Sequence, residues 1–324
     1  MQLPIELAEA IGREAARHDR GALARAVAAV SSRYHAPGVR ATGRLSEVER
    51  AAYLAVRMPA IYGALHAVFV ELRERLPDAT VRTLLDLGAG PGTAAWAAVE
   101  AIPALSETTC VEQDRDFIGL GRRLASTSPR QAVREAHWME ADLHAASALP
   151  PADVVVLSYV TGEFEDAVRL IERAWSAARI ALIVIEPGTP RGFAAVRAAR
   201  DQLVRAAATI AAPCPHAGEC PMKDPDWCHF AARIERTRLH RQLKGGELGH
   251  EDEKFSYVIA SRVLARPAEA RIVRHPWTEP GLVRLELCTP DGLRTRTVRK
   301  REGEPFRHAR KAHWGGEWAG LYRI

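Results

Sequence analysis

Apolar residues recur at helical spacing along the first part of the chain. Ile5–Ala16, Ala22–Val30 and Val48–Leu76 each set apolar side chains three and four residues apart. No strand-like alternation interrupts them, and breaks are expected at Ala36–Gly38 and Pro77–Asp78. Residues 1–78 therefore read as an N-terminal helical region. From Val81 the period changes. Short apolar runs at Thr83–Leu87, Thr108–Glu112, His137–Met139, Asp153–Ser158 and Ala181–Glu186 alternate with amphipathic stretches at Thr93–Ala101, Phe117–Ser126, Glu163–Ala177 and Gly192–Ala211. Strands alternating with helices predict a parallel sheet covered on both faces. The unbroken run Val154–Leu157 suits a strand buried on both sides. Residues 79–212 thus read as a Rossmann-like α/β core.

After Pro213 the texture changes again. Cysteines, prolines and basic residues gather, and Ser256–Ala260, Val283–Cys288 and Arg294–Val298 alternate with a period of two. Asp291-Gly292 between two of these runs is a hairpin signal. Residues 213–324 read as a small β-rich module.

With 26% charged and 47% apolar residues, the chain has the composition of an ordinary globular protein. No run of about 20 apolar residues suggests a membrane span. Glu6, Glu9, Glu14 and Asp19 in the first twenty residues fit neither a secretory signal nor an acid-poor transit peptide. The expected compartment is reducing cytoplasm, where five cysteines point to metal binding or chemistry before disulfides. The net charge of +5 is uneven. From Arg262 onward 14 Lys/Arg face 7 Asp/Glu, a net of +7 on an otherwise near-neutral chain. A basic module on a neutral core suits a polyanionic partner, nucleic acid first, although basicity alone equally serves solubility. Composition is silent on oligomeric state.

The strongest local motif is Leu84-Leu85-Asp86-Leu87-Gly88-Ala89-Gly90-Pro91-Gly92-Thr93. A strand runs into a turn of alternating glycines and then into a helix, so bare main chain can approach a ligand beside a helix N-terminus. The spacing is not the G-x-G-x-x-G of dinucleotide enzymes. Asp86, Gly88, Gly90 and Gly92 instead fill the D/E-x-G-x-G-x-G pattern that resembles S-adenosylmethionine methyltransferases. Glu112, 20 residues after Gly92 at a strand end, is placed to hold ribose hydroxyls, and Asp142 lies where such enzymes contact adenine. Alone, each acid reads as a cap or a surface residue; together with the loop they predict a cofactor site. No Asp/Asn-Pro-Pro-Tyr and no Pro-Cys pair follows the fourth strand, where the sequence is Ser158-Tyr159-Val160-Thr161-Gly162-Glu163-Phe164. The usual amino-group chemistry on adenine or cytosine and the cysteine-nucleophile chemistry on pyrimidine carbon are disfavoured. No catalytic residue is assigned, since methyl transfer can proceed mainly by positioning.

Cys110 falls inside a buried strand and reads as packing. Cys214, Cys220 and Cys228 lie within fifteen residues in a Pro- and Gly-rich segment, and Cys288 can supply a fourth thiol from a strand edge. Four thiolates suit a [4Fe–4S] cluster or structural zinc, and His216, His229 or His240 could replace one thiol around zinc. The bland alternative is four buried free cysteines.

Several segments together resemble the methyltransferase-like assembly factors of the mitochondrial small ribosomal subunit and their bacterial relatives. They are Tyr53-Leu54-Ala55-Val56-Arg57-Met58-Pro59, Pro213-Cys214-Pro215-His216, Cys220-Pro221, Trp227-Cys228-His229-Phe230, Glu253-Lys254-Phe255-Ser256-Tyr257, Cys288-Thr289-Pro290-Asp291-Gly292 and Ala312-His313-Trp314-Gly315. The resemblance spans roughly residues 45–320. Gly315-Gly316-Glu317-Trp318 departs from a Gly-Asp that relatives often carry before Trp. The resemblance implies a [4Fe–4S] cluster on Cys214, Cys220, Cys228 and Cys288 and binding to small-subunit rRNA. The full glycine loop favours S-adenosylmethionine binding.

The predicted fold is then α/β: a Rossmann-like class I methyltransferase core with an N-terminal helical region and a small C-terminal β-rich, cysteine-containing module. Arg233, Arg236, Arg238, Arg241 and Lys244 on an expected helix, and Arg294, Arg296, Arg299, Lys300 and Arg301 after the hairpin turn, could grip phosphates. For any one Arg a solvated face is the simpler reading. Three functions follow in order: a methyltransferase-like protein acting on the small ribosomal subunit, a non-catalytic RNA-binding assembly factor on the same scaffold, and a small-molecule or protein methyltransferase with structural zinc. Fold alone does not separate them.

Overall fold

A computed structural model of the chain describes residues 1–35, 45–145, 148–164, 167–244 and 248–319. The expected break at Ala36–Gly38 lies outside the described residues. Three helices open the chain: α1 (Ile5–Ala15), α2 (Arg20–His35) and α3 (Glu47–Arg75). The start of α3 is set by a capping box, in which Glu49 N donates to Ser46 Oγ (3.3 Å) and the Glu49 carboxylate accepts from Ser46 N (2.8 Å). By length and composition α3 would pass as a membrane span, which the sequence patterning did not register; most of it is buried, and it is a core helix.

The core follows as β1 (Thr83–Leu87), α4 (Thr93–Ala101), β2 (Glu107–Glu112), α5 (Arg115–Ala125), α6 (Gln131–Arg134), β3 (His137–Glu140), β4 (Ala152–Ser158), α7 (Val168–Ala177), β5 (Ala178–Pro187), α8 (Pro190–Arg205), β6 (Thr209–Ala212), β7 (Phe230–Glu235), α9 (Arg238–Lys244) and β8 (His250–Ser261). The sheet order is β3-β2-β1-β4-β5-β8, with β6 and β7 sharing the outer side of β8. The first five strands are parallel; β8 runs antiparallel to β5. Strand residues alternate between two cores. Leu84, Val154, Val156 and Ile183 pack toward α3 and α4, while Leu85, Leu87, Val155 and Leu182 pack toward α7 and α8. Chain order reverses between β1 and β4, and open α/β sheets bind ligands at such a switch point, at the carboxyl ends of the strands.

Three expectations need correction. The helix predicted over Gly192–Ala211 ends at Arg205, and Thr209–Ala212 is the strand β6. Arg233 sits on β7, whose buried and exposed residues alternate strictly, so only the later basic residues lie on α9. Moreover β7 and β8, both beyond Pro213, belong to the main sheet.

A second sheet comprises β9 (Arg271–Ile272), β10 (Trp277–Glu279), β11 (Leu282–Thr289) and β12 (Gly292–Arg299), followed by α10 (Glu304–Ala309). The expected hairpin forms, closing on the Thr289/Gly292 pair. Ile272, Val283, Leu285, Leu287, Val298 and Trp318 make its own core. It is tied to the rest by Arg271, a fully buried cation. Arg271 donates to Pro213 O (3.1 Å) and Gly315 O (2.8 Å) and pairs with Glu71 of α3. A buried guanidinium is tolerated only when so fully partnered.

Candidate functional site

The carboxyl end of β1 is folded back tightly. Gly88 N and Ala89 N both donate to Val111 O (2.9 and 3.0 Å). Gly88 has φ +73°, and a Cβ there would stand 2.5 Å from Val160 Cγ2. Gly90 has φ +54°, yet a Cβ there would meet nothing within 4 Å. The first glycine lets β4's end close against the turn; the second leaves bare main chain facing open space. That space is a cleft of about 500 Å³ lined by Gly88, Gly90, Glu112, Asp142, Tyr159 and Glu163 among others.

Glu112 is held by backbone amides. Its Oε2 accepts from Gly90 N (2.8 Å) and its Oε1 from Gln113 N (2.8 Å) and Asp114 N (2.9 Å). The carboxylate is therefore fixed beside the glycine turn at no side-chain cost. Asp142 stands exposed at the cleft and accepts from His144 N (2.8 Å). Asp86 and Gly92 lie outside the lining. Asp86 is buried beneath the turn with Oδ2 unpartnered, and burial plus the Glu112 charge push its carboxyl up to about 8. Gly92 starts α4 against Trp138. Of the six residues expected at a cofactor site, Gly88, Gly90, Glu112 and Asp142 meet in the cleft.

The opposite wall comes from the end of β4 and was not assigned from sequence. Tyr159 has φ +59°, a strained conformation for a bulky residue. It is held there at both ends. Its N donates to Ile185 O (2.8 Å), and its phenol donates to Glu253 Oε1 (3.0 Å) of β8. Arg57 of α3 grips the same Glu253 carboxylate (3.3 and 3.4 Å). Buried Glu186 accepts from Thr161 N and Thr161 Oγ1 (2.7 Å each), fixing the turn that carries Glu163. Glu163 opens to the cleft, and the surrounding protein with Glu112 and Glu186 pushes its carboxyl up to about 7. Nothing local in the sequence marks Tyr159 or Glu163; their roles arise from β5, β8 and α3, all distant in the chain.

The four later cysteines converge elsewhere. Cys214, Cys220, Cys228 and Cys288 all line one chamber of about 40 Å³, with Met222, Tyr257, Val273 and Arg200. Burial raises the Cys214 and Cys228 thiols and pushes Cys288 up to about 12. Arg200, buried, donates to His216 O (3.0 Å) and Gly218 O (2.6 Å), and it lowers the Cys214 thiol against the effect of burial. His216 Nε2 lies 3.8 Å from Cys288 Sγ. His229 instead stacks with Trp227 and meets Trp314 edge-on, and His240 is buried against Glu251 (2.8 Å). Among the described residues no cluster of three Cys, His, Asp or Glu is close enough to hold a single metal ion. Cys110 is fully buried in β2, in the packing role expected of it.

Much of the first basic segment is internally paired: Arg233 with Asp252 (2.7 Å), and Arg236 and Lys244 with Glu251 (3.5 and 2.6 Å). In the second, Arg294, Arg299, Lys300 and Arg301 are exposed, while Arg296 pairs with Glu302.

Among known proteins, the chain is 28% identical over 286 residues to human "Ribosome assembly protein METTL17, mitochondrial", covering 81% of this chain and 61% of that protein. It is 23% identical to the fission yeast "Rsm22-cox11 tandem protein 2, mitochondrial", covering 85% of this chain and 43% of that one. The chain thus spans between two fifths and two thirds of the length of these relatives. Among solved structures, magnesium protoporphyrin IX methyltransferase from Synechocystis with bound SAH shares 14% identity at a TM-score of 0.41, covering 72% of this chain and 93% of that one. The family model for mitochondrial small ribosomal subunit Rsm22 matches residues 47–319, from the start of α3 through the glycine turn and the cysteine chamber to the second sheet, and the chain belongs to the Rsm22 family.

Proposed function

We propose that this chain binds S-adenosylmethionine in the cleft at the end of β1 and acts on the small ribosomal subunit as a methyltransferase-like assembly protein. One observation carries the cofactor reading: the bare face of Gly90 opens into space beside an amide-held Glu112 carboxylate. A side chain at Gly90 would fill that cradle, and the donor set suits a ligand with vicinal hydroxyls. Glu112 would hold the ribose, Asp142 would face the adenine, and the Gly88–Gly90 main chain would run along the remainder. When bound, the cofactor supplies an electrophilic methyl group. The protein's part is to hold it, exclude water and present the acceptor.

The partner reading rests on family membership and on the exposed cations after the hairpin. The human relative's name places it in ribosome assembly, and the Arg294–Arg301 surface carries the charge that phosphates need. A reducing cytoplasmic compartment suits the cysteine usage, although both relatives are named as mitochondrial proteins.

The reading extends to a [4Fe–4S] cluster held on Cys214, Cys220, Cys228 and Cys288. Four thiols line one cavity, and buried Arg200 and Arg271 stand beside it to offset thiolate charge. Zinc, the alternative, needs four ligands within about 2.0–2.3 Å of one centre.

Calorimetry with S-adenosylmethionine tests the cleft, and silence from the wild-type protein removes the cofactor claim. Tritiated-methyl transfer to small subunits from a strain lacking this gene tests the reaction. Co-sedimentation with small subunits at low and high salt tests the partner; protein that stays free at every salt refutes it.

A further inference from the structure

The second sheet has two unlike faces. Val283, Leu285, Leu287 and Val298 point into its own core, with Ala309 of α10. The residues between them point the other way, and the register orders them in rungs. Trp277, Arg284 and Thr297 stand side by side across β10, β11 and β12. The rung on one side of them holds Glu279, Leu282 and Arg299, and the rung on the other side holds Glu286 and Thr295.

Three features of this outer face point to one kind of ligand. First, it shows a ring. Trp277 is 47% exposed, and no other Phe or Trp among the described residues is left exposed. The Arg284 guanidinium lies over that ring, 5.0 Å from its centroid, and steadies it. Two residues earlier, exposed His275 meets Trp314 edge-on with centroids 4.7 Å apart. Second, the charge is positive. Arg284, Arg299, Lys300 and Arg301 are all exposed. The acids of the face are Glu279 and Glu286, and Glu286 accepts from Thr295 Oγ1 (3.0 and 2.9 Å). Glu302 is engaged by Arg296 and by the Arg299 amide (2.6 Å). Third, the apolar groups are scattered. Trp277, Leu282 and Leu293 lie on three different rungs, with charged and hydroxyl side chains between them.

A protein partner would want a continuous apolar centre, which this face lacks. A duplex hides the faces of its bases and would leave the Trp277 ring idle. An unpaired strand offers both things the surface can use, a π-face for the ring and phosphates for the cations. We propose that the outer face of the second sheet is a platform for single-stranded RNA, with one unpaired base stacked on Trp277 and the backbone held by Arg299, Lys300 and Arg301. Stacking accepts any base, so the platform selects unpaired structure and not sequence. This inference rests on the small-subunit partner reading above, and adds which surface meets the RNA and in what state of pairing.

The test titrates the full chain, by fluorescence anisotropy, into a labelled oligouridylate and into an RNA duplex of the same length. Trp277→Ala should weaken binding of the single strand about 10-fold at every salt concentration, leave the duplex unaffected and keep the wild-type melting temperature. Trp277→Phe should restore most of the loss. Lys300→Gln with Arg301→Gln should act differently, flattening the slope of log affinity against log salt by about 0.7 for each phosphate contact removed. Wild-type affinity for the oligouridylate in Trp277→Ala, or an equal loss on single strand and duplex, overturns the platform and leaves the partner reading standing. If Trp277→Ala loses co-sedimentation with small subunits while binding the oligouridylate normally, the face meets a protein and the platform is again overturned. Wild-type protein that stays free of small subunits at every salt overturns the partner reading itself.

Discussion

The glycine cleft and the cysteine chamber are built on opposite principles. The cleft is shaped by main chain: amides of Gly90, Gln113 and Asp114 orient Glu112, and three left-handed glycines set the turn. The chamber is shaped by side chains drawn from α8, the segment between β6 and β7, β8 and β11. Backbone hydrogen bonds hold the first in place before any ligand arrives. The second surrounds thiols with mostly apolar groups, and its proposed cluster would bridge the second sheet to the main one. A ligand therefore fits into the cleft but would help to hold the chamber together.

The largest effect should come from the chamber. Cys228→Ser is expected to abolish absorption near about 400 nm in anaerobically purified protein and to lower the melting temperature. Colour retained in that variant would break the contrast. Next is Gly90→Arg, which should remove all calorimetric heat with S-adenosylmethionine and leave far-UV circular dichroism unchanged, because a side chain there enters open space and the left-handed backbone adds only about 1–2 kcal/mol of strain. Smaller is Gly88→Ala, where a methyl group 2.5 Å from Val160 in a left-handed backbone should cost about 2–3 kcal/mol in denaturant unfolding. A loss under half of that would show a softer turn than the packing implies. The subtlest is Asp86→Asn. The Asp86 carboxyl is raised from the ordinary range to about 8 in the folded chain, so folding takes up a proton at this site above pH 4. That contribution to stability is complete below about pH 4 and fades as pH climbs toward 8. The variant should gain on the wild type across that interval, and parallel stability curves would remove the buried-acid assignment.

What was readable in the sequence follows the same division. Leu84–Gly92 is contiguous, so strand, turn and helix start announce themselves together, and Glu112 follows at a fixed spacing along the next strand. The cysteines could be grouped by composition, but their meeting at one chamber depends on β11 docking through Arg271. Tyr159 and Glu163 carry no local signal, because left-handed backbone at a tyrosine has no sequence signature and Glu253 lies 94 residues away. Thr209–Ala212 suits a helix or a strand by pattern, because four mostly apolar residues fit either period, and pairing with β8 decides the matter from a distance. In β7 the alternation was visible, and its arginines drew the reading toward a helix.

The strand β8 has a consequence for how this protein can vary. Glu253 reaches Tyr159 in the cleft, and three residues later Ser256 Oγ donates to Cys228 O (2.8 Å) behind the chamber. A slip of one residue would turn both side chains to the wrong faces at once. Insertions or deletions between positions 253 and 256 are thereby barred, and the two pockets share a single ruler that neither can lengthen without spoiling the other.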